Sequence, residues 1–233
     1  MTREVEKMRS NVLLAVAFGS ALAVCGSTSA SPIPWTQDNG STTYYDYSNG
    51  QSTNGLFGDP LVLDGSFLFF PSNFKAVATN GAATSVSDTL SFDVAVKPNY
   101  SVTAISIKEL GDYQITGTGT ANIGGTLQVT NLVNPGNTVV NLATTPSMPV
   151  TTPGSGEWSA EATATNLPNG WTLFHVNLSN ILHATAGANS AVNIEKKFAQ
   201  GAIEVSIIVP EPASIGLVAT GISAMLLRRR RSN

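Results

Sequence analysis

Leu90, Phe92, Val94 and Val96 alternate with Ser91, Asp93 and Ala95, so a strand here buries one face and wets the other. The same period of two runs through Thr172, Phe174, Val176 and Leu178 and through Ile203, Val205 and Ile207. Val102, Ile105 and Ile107 nearly alternate, and their one-residue slip predicts a bulge. Weaker strand patterns lie at 43–47, 66–70, 113–117, 126–132, 138–142, 158–165 and 191–194. Turn pairs separate them: Asn49-Gly50, Asn80-Gly81, Gly124-Gly125, Pro135-Gly136 and Asn169-Gly170. No stretch between residues 31 and 209 keeps a helical period of useful length. About ten short antiparallel strands at this spacing predict an all-β fold, an antiparallel β-sandwich of jelly-roll-like type. The Pro-, Thr-, Ser- and Gly-rich stretch 144–156 reads as a long loop within that domain.

The two ends follow a different pattern. Arg3, Lys7 and Arg9 precede the largely apolar run Val12–Val24, and Thr28 and Ala30 supply small residues after it. This is the three-part layout of a secretory leader, too short for a comfortable membrane span, with cleavage expected between Ala30 and Ser31 by signal peptidase. Cys25, the only cysteine, follows Val24 where a lipidation signal needs a small residue. An uncleaved anchor is the rival reading of this segment.

At the other end Pro210-Glu211-Pro212 is followed by fifteen apolar or small residues, 213–227, and then by Arg228, Arg229, Arg230 and Arg231. As a helix the run rises about 22 Å, short of a bilayer core of about 30 Å. The prolines stop the helix and Glu211 is costly at membrane depth, so the break belongs at the outer interface. Four arginines favour the cytoplasmic side, leaving the body outside. The expected organisation is therefore a signal peptide over 1–30, a β-sandwich domain over 31–209 and a sorting tail over 210–233. A plain C-terminal membrane anchor is the alternative reading of the tail.

Composition narrows the function classes. Charged residues make up 12% of the chain, and between 31 and 209 five lysines face twelve Asp and Glu, a net charge of about −7. A nucleic-acid partner is excluded on this balance, since phosphate binding needs clustered cations. With Cys25 in the leader, the body has no thiol for a disulfide or a cysteine metal site.

The ordered tail, Val209-Pro210-Glu211-Pro212-Ala213, apolar helix and arginine cluster, resembles the PEP-CTERM sorting signal of bacterial exported proteins. The resemblance implies that an exosortase, an intramembrane cysteine transpeptidase-like processing enzyme, reads and removes the tail. It also implies an association with exopolysaccharide and biofilm production, with the product in the cell envelope, at the surface or in the extracellular matrix. LFGDP (56–60), FLFFPSNFKA (67–76), ISIKELGDYQITGTG (105–119) and IEKKFAQGAIEVSIIVPEPA (194–213) are similar to a recurrent β-sandwich body attached to such tails. No activity comes with that second resemblance.

Candidate chemistry in the body is sparse. His175 and His183 are eight apart, a spacing without metal or triad logic, and read as packing or surface residues. His183 is expected in a turn. Gly154-Ser155-Gly156 lacks the apolar strand that precedes a nucleophile elbow and reads as a linker-like turn. Glu157 and Glu161 share a strand face, the minimum for an exported glycoside hydrolase. Glu109 and Asp112, flanking an expected turn at Gly111, offer oxygen ligands for Ca²⁺, the one cofactor the residues suggest. Trp35, Trp158 and Trp171 with Tyr44, Tyr45 and Tyr47 offer rings for stacking on polysaccharide. Alternation sends Tyr44 and Tyr45 to opposite faces, so one ring is expected to be exposed. The leading expectation is a non-enzymatic exported surface or matrix protein with no catalytic residue; a carbohydrate-binding module is the alternative, and a hydrolase the less favoured one.

Overall fold

The computed structural model describes residues 31–134, 136–165, 167, 171–197 and 203–209. Among them there are fifteen strands and no helix. In chain order they begin with β1 (Ile33–Pro34), β2 (Gly40–Ser41), β3 (Tyr45–Ser52), β4 (Leu61–Leu63), β5 (Ser66–Phe69) and β6 (Lys75–Thr79). The long strands β7 (Ala83–Val96), β8 (Ala104–Thr116) and β9 (Gly119–Asn131) follow, then β10 (Asn137–Asn141) and β11 (Ala143–Thr145). The last four are β12 (Gly154–Ala164), β13 (Leu173–Ala186), β14 (Ala191–Lys196) and β15 (Ile203–Ile208).

Two antiparallel sheets result, and the protein is a β-sandwich. One sheet runs β1-β3-β7-β13-β9-β10, with β2 on β3. The other runs β11-β12-β8-β15-β5-β4, with β14 on β8 and β6 beyond it. Strand β8 gives one edge to β12 and divides the other: Ala104–Lys108 pair with β15, and Gly111–Thr116 with β14. Glu109 stands where those two neighbours part.

Alternation fills the space between the sheets. Phe92, Leu90 and Val94 of β7 point inward, as do Phe174, Val176 and Leu178 of β13. Trp35, Tyr45, Tyr47, Phe67, Phe69 and Phe92 pack as one aromatic group, with the Phe67 and Phe92 ring centroids 4.5 Å apart. Such contacts add about 0.5–1.5 kcal/mol each to the burial of the rings. Phe57 continues this group from Phe69, at 6.0 Å, to Phe74, at 5.4 Å, and Trp158 lies in the same core. Phe57 is delivered there by a loop tied to buried Asp88, whose carboxylate accepts from Ser52 Oγ (2.5 Å) and the amides of Asn54 (2.8 Å), Leu56 (2.7 Å) and Phe57 (3.3 Å).

Several expected breaks lie inside strands. Asn49 and Gly50 form a bulge within β3, not a turn, because the backbone must pass against the Trp35 ring: a Cβ on Gly50 would lie 2.1 Å from it. Gly124-Gly125 continues β9, where a Cβ on Gly125 would meet the Ser179 carbonyl at 2.3 Å. Gly111 continues β8 because Trp158 lies across it; a Cβ there would meet that ring at 2.2 Å. Val102 precedes β8, so the expected bulge near it is absent. The stretch 144–156 is loop only in part, since β11 and β12 claim its two ends. Asn80-Gly81 does turn the chain, both residues having positive φ.

Gly111→Ala should therefore lower stability by about 2–3 kcal/mol through overpacking. Gly124→Ala, with only Ile181 Cγ2 at 3.6 Å, should change it by less than about 1 kcal/mol. Urea unfolding of the full chain compares them, and equal losses would contradict the seating of Trp158 on Gly111.

Candidate functional site

The sorting-motif residues Pro210, Glu211 and Pro212, the arginines 228–231 and Ala30 lie outside the described residues. Ser31 is described and exposed. The chain reaches the tail from β15, whose Ile208 carbonyl accepts from the Thr103 amide at 2.9 Å, and Val209 packs against the core. Among the described residues no helix is long and apolar enough to cross a membrane.

The residues read as candidate chemistry are dispersed. His175 and His183 both belong to β13, so His183 is not in a turn. At about 3.4 Å per residue they lie about 27 Å apart. His175 Nδ1 meets Asp93 Oδ1 at 2.6 Å, and Asn49 donates to the other Asp93 oxygen at 2.7 Å. His183 lies between Ser85 Oγ (2.6 Å from Nδ1) and Thr185 Oγ1 (2.9 Å from Nε2). One histidine thus has an acid and the other a hydroxyl, and neither has both. Gly154-Ser155-Gly156 opens β12 instead of forming a linker turn. Glu157 and Glu161 share a face of that strand about 14 Å apart, beyond the reach of a glycosidase pair. Glu161 faces Lys108 at 3.6 Å, both more than half exposed.

The expected Ca²⁺ ligands separate as well. With Gly111 in a strand, Glu109 and Asp112 project from opposite faces of β8, and each meets one of two consecutive lysines: Glu109 pairs with Lys196 and Asp112 with Lys197. Among the described residues no three His, Cys, Asp or Glu side chains are grouped to hold a metal ion.

The proposed aromatic platform is mostly core. Tyr45 is 0% exposed, Trp158 2% and Trp35 4%. Tyr47 is buried, Trp171 is half-buried, and Tyr44 is half-buried edge-on to Tyr100. Parity explains this: Tyr45 and Tyr47 share the inward face of β3, with Asp46 and Ser48 on the exposed one.

What the fold does assemble is a buried polar cluster. Lys196, the last residue of β14, turns inward and places Nζ 2.5 Å from Glu109 Oε2. Asn180, midway along β13 in the opposite sheet, donates Nδ2 to Glu109 Oε1 at 2.7 Å. One carboxylate thereby holds an amine from one sheet and an amide from the other. Lys196 and Glu109 side chains are both wholly buried, and Asn180 is 2% exposed with its Oδ1 unpaired. Rings enclose the amine, with Phe74, Trp158 and Phe57 centroids 5.1, 5.4 and 5.9 Å from Nζ. Burial pushes the Lys196 ammonium below its ordinary range, while the neighbouring Glu109 charge and hydrogen bond pull it back. Chemically this is a site closed to solvent that sets an amine and a carboxylate in contact, with a primary amide alongside.

Sequence reading reached Glu109 but not Lys196 or Asn180. A signal for both was present: Val192, Ile194 and Lys196 share one strand face, as do Leu178, Asn180 and Leu182.

No protein-family model and no curated protein matches this chain. Solved structures similar to it include that of the infectious bursal disease virus Gx strain, at 10% identity over 76% of this chain and 56% of that one, with a TM-score of 0.13. The VP2 subviral particle of infectious bursal disease virus is similar at 12% identity over 75% of this chain and 54% of that one, with a TM-score of 0.14. The chain spans just over half the length of those proteins. Likenesses this faint carry no argument about fold or role.

Burial raises the Tyr45 hydroxyl well above the ordinary tyrosine value, with the Asp64 and Tyr47 charges adding to it, and Tyr47 is raised by burial and by Asp38. A raised folded-state value favours the neutral phenol, so this contribution to stability is complete below about pH 10 and is lost as pH rises further. In an alkaline absorbance titration of the full chain, these two tyrosines should ionise above the ordinary tyrosine range, and Tyr45→Phe should remove one of the two late steps. A folded chain whose absorbance above the ordinary tyrosine range is unchanged by Tyr45→Phe would contradict the buried placement.

Proposed function

We propose that this chain is a non-enzymatic exported surface or extracellular-matrix protein, made as a membrane-anchored precursor and released to its destination by removal of the C-terminal tail. The observation that carries the reading is the order of the last residues: Pro210-Glu211-Pro212, the apolar run 213–227 and Arg228–Arg231, following directly on a terminal strand. In this reading the leader is removed between Ala30 and Ser31, and an exosortase-type enzyme acts at the Pro-Glu-Pro motif. In the same reading the tail and leader are the helices that flank the sandwich, and the sandwich is jelly-roll-like, its chain crossing from one sheet to the other between β7 and β8 and again between β8 and β9.

The fold supports this in one respect. Only three residues separate Val209, held on the core, from Ala213, and the four residue steps reach about 14 Å when fully extended. An inserted tail therefore keeps the end of the sandwich at Ile208 and Val209 close to the lipid boundary. The motif is then held at the interface, neither pulled into the bilayer nor carried far into solvent. The cargo has only to be stable and soluble outside the cell, for which a wide sandwich without disulfides suffices. Its link to exopolysaccharide rests on the resemblance of the tail.

Terminal-residue mapping of the protein recovered from fractionated native cells tests the reading. The expected product begins at Ser31, lacks Ala213–Asn233 and is found in the envelope, surface or matrix fraction. Retention of the full tail in that product would refute processing. Replacing Pro210, Glu211 and Pro212 with alanine should leave the tail attached and the precursor in the membrane.

A further inference from the structure

We propose that Lys196 and Asn180 become covalently joined, the lysine Nζ replacing the side-chain nitrogen of the asparagine to form an intramolecular isopeptide that ties one sheet to the other. Glu109 is the proton carrier for that reaction. Three observations support it: one buried carboxylate bridges the amine and the amide at 2.5 and 2.7 Å, rings enclose the amine, and Asn180 Oδ1 is buried without a partner.

The chemistry balances without any co-reactant. The Lys196 ammonium first passes a proton to Glu109, leaving a neutral amine and a neutral acid, a transfer favoured where two charges are costly to bury. The Nζ lone pair then forms a bond to Asn180 Cγ, and the carbonyl electron pair moves onto Oδ1. Rotation of the Asn180 amide lets protonated Glu109 donate to Oδ1 and polarise the carbonyl. Glu109 next gives its proton to Nδ2 and takes one of the two protons left on Nζ. Collapse of the intermediate breaks the Cγ–Nδ2 bond and expels ammonia. The products are one secondary amide, one ammonia and Glu109 in its acid form, with the starting atoms and charge conserved.

The site supplies what this reaction needs. Holding amine and amide on one carboxylate replaces a bimolecular encounter with a fixed approach. The Phe57, Phe74 and Trp158 rings exclude the water that would otherwise solvate the ammonium. Because each molecule reacts once, a slow step is sufficient, and loss of ammonia makes it one-way. The product also removes both buried charges, whereas a permanent ion pair would keep them and leave Oδ1 unpaired.

The test is peptide mapping of the purified full chain after denaturation and cleavage at glutamate, which places Asn180 in fragment 162–195 and Lys196 in fragment 196–204. The expected result is a joined species whose mass is the sum of the two fragments less one ammonia, with fragmentation locating the bond at Lys196 and Asn180. Glu109→Gln should abolish the joined species, and Lys196→Arg should do the same. Asn180→Asp should converge on the wild-type product, because loss of water from Asp and of ammonia from Asn leaves the same amide. Recovery of the two fragments unjoined from folded wild-type protein would overturn the proposal, independently of whether any variant folds. Loss of ammonia confined to an Asn-Gly pair, through succinimide formation, would overturn it equally. Joining in Glu109→Gln at the wild-type extent would remove Glu109 from its role.

Discussion

The Glu109 carboxylate is the constraint around which the core is arranged. It occupies the point on β8 where β14 and β15 part, and it must be met by donors there because water does not reach it. Lys196 closes from the same sheet and Asn180 from the opposite one, so this single group links the two layers at the middle of β13. Its surroundings follow from that requirement. Gly111 has no side chain so that Trp158 can lie over the site, and Asp88 gathers the 52–57 loop so that Phe57 completes the wall. A chain with so few charges in its body uses two of them where desolvation costs most.

Much of the sandwich could be read from alternation alone. The inward positions of β7, β13 and β15 follow the period of two, and the β14 and β10 segments lie close to where the pattern places them. Strand lengths were less accessible. β13 extends to Ala186 and β7 begins at Ala83 because alanine and threonine serve as inward residues where the sheets come close, and neither gives a strong apolar signal. Glycines misled for a related reason. In Gly50, Gly111 and Gly125 the missing Cβ marks a close approach of ring or backbone, not a turn, and a single sequence does not distinguish the two uses.

The buried cluster illustrates the same limit from the other side. Parity along the strands places Glu109 with Ile105 and Ile107, Asn180 with Leu178 and Leu182, and Lys196 with Ile194, so each polar residue was identifiable as inward-facing. Their convergence was not, since it depends on which strands cross between sheets and on the divided edge of β8. The aromatic residues show the reverse. Tyr45 and Trp158 read equally well as rings for sugars or for the core, and their strand faces place both inside. The terminal segments raise no such question of packing: their meaning lies in the order of residues along the chain, and only processing in the cell tests it.

The central claim is that Lys196 and Asn180 are held by Glu109 in a dry site and joined there. The most direct measurement is nitrogen NMR of the folded full chain labelled at the lysine side chains. The account predicts that one of the six lysine nitrogens carries a single proton, resonates as an amide and is indifferent to pH. Six side-chain nitrogens all titrating as amines would contradict it.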